Sequence, residues 1–517
     1  MDQQNHISEK TIFFTAVFIA GLCSLIYELL ISTTSSYFLG DSIKQFSLTI
    51  GVYMAAMGLG SWLSKYLEDD LLEWFVKIEV LLGLVGGISV PLLYWFFDLV
   101  SSGIYQWLML GLTLLIGVLT GFEIPILVRI MKTYYPLKTN LANVLSLDYV
   151  GALVATLIFP FILLPFVGVF RTSVIFGLAN IILGLLIYRF ITQHLSIKRK
   201  NWIENTTLIC ILFFIALFIF SGKLLKQWED QFYSSRIIYS KQTPYQKLVM
   251  TKNKDDLRLY INRIIQFSAL DEYRYHESLA LVPLNAAPSK KNVLILGGGE
   301  GLLAREVIRH PQVERVTIVD LDPEVFRLAR ENNYLKELNR GVLTDPKVTL
   351  QPTDAMQFLK NTKERFDVIL SDLPDPSSDA VARLYSTFFF SFAKKCLKPK
   401  GVFATQATSP FHTRRAFWCI YETLKASGFN YVYPYHVYVP TFGDWGFVLA
   451  SSAELQPQKF ASKMDCRYLD DHIVENMFYF ERDISNPGKL MPNYLDQPAL
   501  LHYFIEDWEV WKRDKKQ

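Results

Sequence analysis

"NVLILGGGEGLLAREVIRH", from Asn292 to His310, decides how the second half of the chain folds. An apolar run ends at Leu296, Gly297, Gly298 and Gly299 permit a tight turn with close backbone approach, and a helical pattern opens from about Gly301. Downstream, strand-like and helix-like stretches alternate: "RVTIVDLD", "PEVFRLAREN", "VTLQPTDA", "FDVILSDL" and "GVFATQ". That order predicts a parallel sheet covered by helices, an α/β Rossmann-like domain over 288–517. Upstream, "IIYSKQTPYQKLVM" and "LRLYINRIIQFSA" alternate as strands of a small antiparallel β region within 226–287.

The turn predicts a nucleoside site. Asp320 closes the next strand, where a carboxylate accepts hydrogen bonds from both ribose hydroxyls. Glu300, inside the turn, would repel a pyrophosphate and attract a sulfonium or an amine, which favours an adenosylmethionine-type donor over a dinucleotide. Asp354, after the third strand, is placed to meet the adenine amino group. The fourth strand runs into "DLPDP", which puts Asp372 and Asp375 at the carboxyl edge of the sheet in a segment stiffened by Pro374 and Pro376. Glu300, Asp372 and Asp375 on one pocket repel one another unless a cation fills it, so the pocket suits a di- or polyamine.

The first 225 residues belong to a different solvent. The whole chain is 517 residues, 51% hydrophobic and 20% charged, and the apolar excess lies before about Gly222. Seven stretches, near 11–32, 43–63, 76–97, 107–128, 142–164, 169–190 and 206–221, are candidate spans of a multi-pass α-helical membrane domain, the last of them marginal in length. The opening "MDQQNHISEKTIFF" has no basic n-region leading to a small-residue cleavage site, so the first run is expected to be a retained span. Lys10, Lys65 and Lys77, Arg129, Lys132 and Lys138, and the basic residues of "YRFITQHLSIKRK" share one side if the spans alternate, which puts the N-terminus inside. Seven crossings would then leave the second half outside, whereas a nucleoside ligand is expected inside; six to eight spans fit the pattern. Glu28, Glu79, Glu123 and Asp148 lie within the apolar stretches, where a charge costs at least a few kcal/mol and marks an inward-facing site or a span end. "KLLKQWEDQFYSSR" reads as an amphipathic linker after the last span.

A net charge of +3 with scattered basic residues suggests no nucleic-acid face. Cys23, Cys210, Cys396, Cys419 and Cys466 form no CxxC pair, which argues against a disulfide framework or a zinc site.

From about Tyr239 to Ser452 the chain resembles the spermidine synthase family of polyamine aminopropyltransferases, in its membrane-fused form. The motifs that carry the resemblance are "PYQ", "DEYRYHESLALVPL", "GGGEGLLAREVIRHPQVERVTIVDLDPEV", "TDA", "DLPDP", "LY" and "QATSP". It implies transfer of an aminopropyl group from decarboxylated S-adenosylmethionine to a polyamine acceptor, putrescine foremost, giving spermidine and methylthioadenosine. By the same resemblance Gln246, Gly297, Gly299, Glu300, Asp320 and Asp354 would bind the donor. Asp372 would be catalytic, Tyr275, His276 and Asp375 would bind the acceptor, and neither a metal nor a prosthetic group is implied. The expected partners are the polyamine, the nucleoside donor and the lipid bilayer, with self-association left open; the expected location is the cell membrane with the catalytic part in the cytoplasm. Two departures bear on the acceptor: Phe442 in "VPTFGDWGF" stands for the family's late pocket tyrosine, and Leu373-Pro374 replace two small hydroxyl residues. An adenosylmethionine-dependent methyltransferase and a polyamine transporter or sensor with a non-catalytic binding domain are the alternatives. The first needs a partner for the donor carboxylate that Glu300 opposes, and the second has no use for an acid at the position of attack.

Overall fold

The apolar stretches of the first 232 residues form long helices, seven of which, among the described residues, are long and apolar enough to cross a membrane by length and composition. They are α1 (Asp2–Leu39), α2 (Ser42–Leu63), α3 (Leu71–Leu99), α4 (Ser102–Met131), α5 (Leu137–Ile158), α6 (Val169–His194) and α7 (Asn201–Phe232). The computed structural model describes residues 2–39, 42–100, 102–132, 136–194, 201–233, 235–460 and 464–514, and divides into two units, Met1–Phe232 and Tyr233–Gln517.

Three expectations for the first unit change. The stretch at 206–221 lengthens: the candidate span of α7, long and apolar enough by length and composition alone, is Glu204–Trp228, with a mean hydropathy of 2.6 over its most apolar 18 residues. α5 continues through a π-wound segment, Phe159–Val167, whose Pro160 and Pro165 lack the N–H that a regular helix needs. "KLLKQWEDQF" is the last part of α7 rather than a separate linker, so the division between units falls after Phe232 and not after 225. Of the charges that suggested an orientation, the side chain of Lys10 and the segment 195–200 lie outside the described residues. Helices α2 and α4 pack at glycines: a Cβ on Gly60 would lie 2.1 Å from the Val118 carbonyl oxygen, and one on Gly121 2.2 Å from that of Met57. All five cysteines are free.

The second unit opens with an antiparallel sheet of β1 (Arg236–Gln242), β2 (Lys247–Asn253), β3 (Asp256–Ile261) and β4 (Ile264–Ser268), followed by helix α8 (Glu272–Ala286). Next come β5 (Asn292–Gly297), α9 (Leu302–Ile308), β6 (Arg315–Asp320), α10 (Pro323–Glu331), α11 (Asn333–Leu338), β7 (Val348–Pro352), α12 (Ala355–Asn361) and β8 (Phe366–Asp372). The chain ends with α13 (Asp379–Ala382), α14 (Thr387–Cys396), β9 (Leu397–Gln406), α15 (Arg414–Ala426), β10 (Tyr431–Val439), β11 (Gly443–Ser451), α16 (Asp471–Asn476) and α17 (Ala499–Asp514). The large sheet has the order β10-β11-β9-β8-β5-β6-β7, with β5 to β9 parallel and β10 and β11 antiparallel.

β5 reads as a continuous apolar run because both its faces are covered. Val293 and Ile295 point into one core and Leu294 and Leu296 into the other, as the period-two alternation of a strand requires. α10 starts where Asp322 accepts a hydrogen bond from the Glu324 N–H and Pro323 occupies the first helical position, and it buries Val325, Phe326, Leu328 and Ala329. Strand order reverses at β5, so the crevice between the ends of β5 and β8 is the topological switch point where open sheets bind ligands.

With its own sheet and two cores, the second unit should fold alone. A fragment from Tyr233 to Gln517 is expected to show mixed α/β circular dichroism and one cooperative thermal transition; a broad, non-cooperative melt would mean that the helical unit completes its core.

Candidate active site

At the switch point the backbone itself forces acids together. Gly297 and Gly298 have φ of 85° and 63°, and Gly297 pairs with Asp372 in the β5–β8 ladder. A Cβ on Gly297 would lie 2.0 Å from the Asp372 carbonyl oxygen, and one on Gly299 2.7 Å from Asp320 Oδ2. The turn is glycine because these two aspartates pass directly over it. The Gly299 N–H donates to Asp320 Oδ2 at 3.1 Å, and the Asp322 N–H to Asp320 Oδ1 at 3.0 Å. Burial raises the Asp320 pKa to about 6, although both N–H donors favour its charged form.

Helix α8 supplies the facing wall. The Tyr275 hydroxyl donates to Asp372 Oδ1 at 2.6 Å. His276 Nδ1 lies 2.7 Å from Glu272 Oε2, and its Nε2 lies 3.9 Å from Glu300 Oε1. Glu272 in turn receives Arg305 Nη2 on both oxygens at 2.9 Å. A buried chain of Arg305, Glu272 and His276 therefore reaches the acids from behind. Burial works against charge on His276, but the Glu272 hydrogen bond and the charges of Glu272, Asp372 and Glu300 outweigh it and raise its pKa. Burial raises Glu300 to about 7, with the Asp372 charge adding to the shift and His276 opposing it. Burial also raises Asp372, against the pull of His276 and Tyr275. One ring nitrogen and two carboxylate oxygens, from His276, Glu300 and Asp372, lie within 4.8 Å of one another, a grouping compatible by distance with a metal ion as well as with an ammonium group.

The sequence attributed the placing of Asp375 to prolines, but hydrogen bonds do more. The Tyr385 hydroxyl donates to the carbonyls of Leu373 and Pro374 at 3.1 and 3.0 Å, and Gln406 Nε2 donates to the Leu373 carbonyl at 2.7 Å. Thr408, with φ of 60°, donates its N–H to Gln406 Oε1 at 2.8 Å. Burial raises Asp375 to about 7, with Gln406 and Thr408 opposing, and its buried Oδ1 has no hydrogen-bond partner among the described residues. The Phe442 ring lies tilted against Trp445 at 5.0 Å and edge-on to Tyr275 at 6.4 Å, so an apolar wall stands where a hydroxyl was expected to be lost. Trp445 Nε1 is also buried without a hydrogen-bond partner among the described residues.

Two expected residues stand apart from the acids. Asp354 caps α12 by accepting from the Gln357 N–H at 2.9 Å, while its Oδ2 meets Arg383 Nη2 at 2.9 Å, so both its oxygens are engaged. Gln246 lies in the β1–β2 turn, which Thr243 ties to Asp322 Oδ2 at 2.7 Å, close to the end of β6. Glu272, Arg305, Tyr385 and Gln406 were not singled out in the sequence. All four fall inside quoted motifs, "DEYRYHESLALVPL", "GGGEGLLAREVIRHPQVERVTIVDLDPEV", "LY" and "QATSP", without a role, and the Glu272–His276 spacing of one helical turn was the further signal available for the first.

A model of the spermine/spermidine synthase domain matches residues 272–461. A polyamine aminopropyltransferase of Leptospira interrogans is 42% identical over 96% of this chain and 99% of its own. Another of Oceanobacillus iheyensis is 36% identical over 97% of this chain and 98% of its own. A solved spermidine synthase in complex with the transition-state analogue AdoDATO is 28% identical, covering 48% of this chain and 86% of that one, with a TM-score of 0.45.

The raised carboxyls make a pH prediction. An acid whose folded pKa lies near 7 against an unfolded value near 4 binds more protons when folded, so its contribution to stability is complete below the unfolded pKa and is lost as pH rises towards 7. The ligand-free protein should therefore lose melting temperature between about pH 4 and 7 through Glu300 and Asp375. Asp375→Asn should flatten that slope, and an unchanged slope would show that Asp375 is not protonated in the folded state.

Proposed function

The chain belongs to the polyamine aminopropyltransferase family, and within it we propose that this protein transfers the aminopropyl group of decarboxylated S-adenosylmethionine to putrescine, forming spermidine and methylthioadenosine. The observation that carries the reading is the acid recess itself. Glu300, Asp372 and Asp375 surround the end of β5, and no described lysine or arginine is hydrogen-bonded to any of them.

In this reading the acceptor nitrogen attacks the propyl carbon next to sulfur, the C–S bond breaks, and the sulfonium leaves as a neutral sulfide. The attacking amine must first lose a proton, and Asp372, oriented by the Tyr275 hydroxyl, takes it directly or through water. Asp375 holds the acceptor in line and Glu300 holds the donor's own ammonium. Asp320 would take the ribose hydroxyls, and Gln246 would approach the donor from the β1–β2 turn. Asp354 reaches the adenine only by exchanging its Arg383 partner. Aligning two cations in one acidic recess offsets their repulsion and fixes the line of approach. Putrescine fits the wall of Tyr275, Phe442 and Trp445, which offers aromatic surface to a short methylene chain between two ammonium groups.

The helical unit is proposed to sit in the cell membrane, with the catalytic unit in the cytoplasm, because a charged nucleoside donor does not cross a bilayer unaided. With seven spans this requires the N-terminus outside, against the basic loops, and labelling of single cysteines placed after Phe232 from either side of the membrane tests it.

Asp372→Asn should lower turnover by roughly 10²–10⁴-fold while keeping donor affinity, as loss of a general base does; near wild-type turnover would remove Asp372 from the reaction. Wild-type protein should bind the decarboxylated donor at least about tenfold more tightly than adenosylmethionine, whose extra carboxylate faces Glu300, and Glu300→Gln should shrink that gap. A preference for intact adenosylmethionine would favour methyl transfer. Turnover should also survive a chelator, and its loss would turn the His276, Glu300 and Asp372 grouping into a metal site.

A further inference from the structure

A second set of unpaired acids lies inside the helical unit. Glu79 on α3 is 0% exposed and Glu123 on α4 is 1% exposed. Their carboxyls meet one another. Apart from that contact, both oxygens of Glu79 and Oε1 of Glu123 have no hydrogen-bond partner among the described residues. Tyr27 on α1, fully buried, lies within electrostatic reach of both glutamates, and its hydroxyl is also unpartnered. On α6, Gly184 brings its backbone against Glu79, 3.3 Å from a built Cβ to the Glu79 Cβ. One turn earlier Asn180 is 0% exposed, with neither amide atom partnered. Polar groups left unpaired in an apolar bundle are destabilising, and more so when charged. Their concentration at one level of one bundle points to a ligand.

We propose that the helical unit carries its own binding site for a linear polyamine, with Glu79 and Glu123 gripping one ammonium group and Tyr27 facing it. The proposal rests on the polyamine reading of the catalytic unit, whose recess is built from the same groups, paired acids beside a tyrosine hydroxyl. Two features select an alkylammonium over a bare metal ion. Aromatic rings flank the acids: Tyr53, 1% exposed, is held by the Ser24 carbonyl at 2.9 Å and Thr120 Oγ1 at 3.1 Å and lies within reach of Glu123 and Glu28. The acids also continue outwards, since half-buried Asp148 interacts with Glu123 and half-buried Glu28 with Tyr53. A metal ion needs one tight shell of oxygens, whereas ammonium groups separated by methylenes meet carboxylates in succession.

The test uses the full-length protein in lipid nanodiscs. A hydrophobic carbodiimide modifies protonated carboxyls in apolar surroundings, and peptide mass spectrometry reads the adducts at Glu79 and Glu123. Spermidine should slow modification at both residues several-fold, while sodium chloride of equal charge should not. No protection by spermidine, or equal protection by sodium, overturns the proposal. In equilibrium dialysis with labelled spermidine, Glu79→Gln/Glu123→Gln should lose one equivalent per chain while aminopropyl transfer continues at the wild-type rate; unchanged stoichiometry overturns it as well. A wild-type protein without aminopropyl transfer would sink the catalytic reading, and the carbodiimide protection would still report on the helical site separately.

Discussion

The catalytic unit depends on how closely the turn after β5 passes under two aspartates. Side chains at Gly297 and Gly299 would occupy the space of the Asp372 backbone and the Asp320 carboxylate, so the glycines let β5, β6 and β8 end at one level with their acids converging. Once Asp372 is fixed there, its hydrogen bond from Tyr275 locates α8, and α8 carries His276 and Glu272 to the back of the same recess. The second acid, Asp375, is located separately, by Tyr385 and Gln406 gripping the backbone just before it.

The electrostatic consequence is a recess that resists full ionisation: among the described residues no lysine or arginine bonds its acids, and the basic side chain that reaches them is His276. Arg305 is near, but both its Nη2 contacts are spent on Glu272, so its charge reaches the acids only through His276. Burial, with no lysine or arginine bonded to them to offset it, raises Glu300 and Asp375 to about 7, and a cation entering the recess shifts them to the charged form that binds it. That coupling lets one pocket favour two positively charged reactants that would otherwise repel one another.

The two units reach a similar chemistry through different secondary structure. In the catalytic unit, strand ends and one helix bring the acids together; in the helical unit, five helices contribute Tyr27, Tyr53, Glu79, Glu123 and Asn180, one each. In both, carboxylates are set beside tyrosines with no lysine or arginine bonded to the paired acids among the described residues.

The sequence by itself determined the parallel sheet, the position of the glycine turn, the acids at the strand ends and the family, because these follow from local patterns: buried runs of period two, φ values open to glycine, and carboxylates at fixed offsets from strands. It also determined the apolar character of the first unit, although α7 proved longer than its most apolar stretch because the amphipathic "KLLKQWEDQF" extends the same helix. Only the tertiary structure decided which acids share a recess. Asp372 and Asp375 stand three residues apart, yet one is held by Tyr275 and the other through Tyr385, in the turn before α14, and Gln406, at the end of β9. Asp354 was read in sequence as a free carboxylate for the adenine, but Arg383, brought to it across the fold, takes the oxygen that its helix cap leaves over. The pairing of Glu79 with Glu123 was equally invisible, because the faces that α3 and α4 turn to one another are fixed by their packing on other helices, α3 on α6 at Gly83 and Gly177 and α4 on α2 at Gly60 and Gly121, and not by any spacing along the chain.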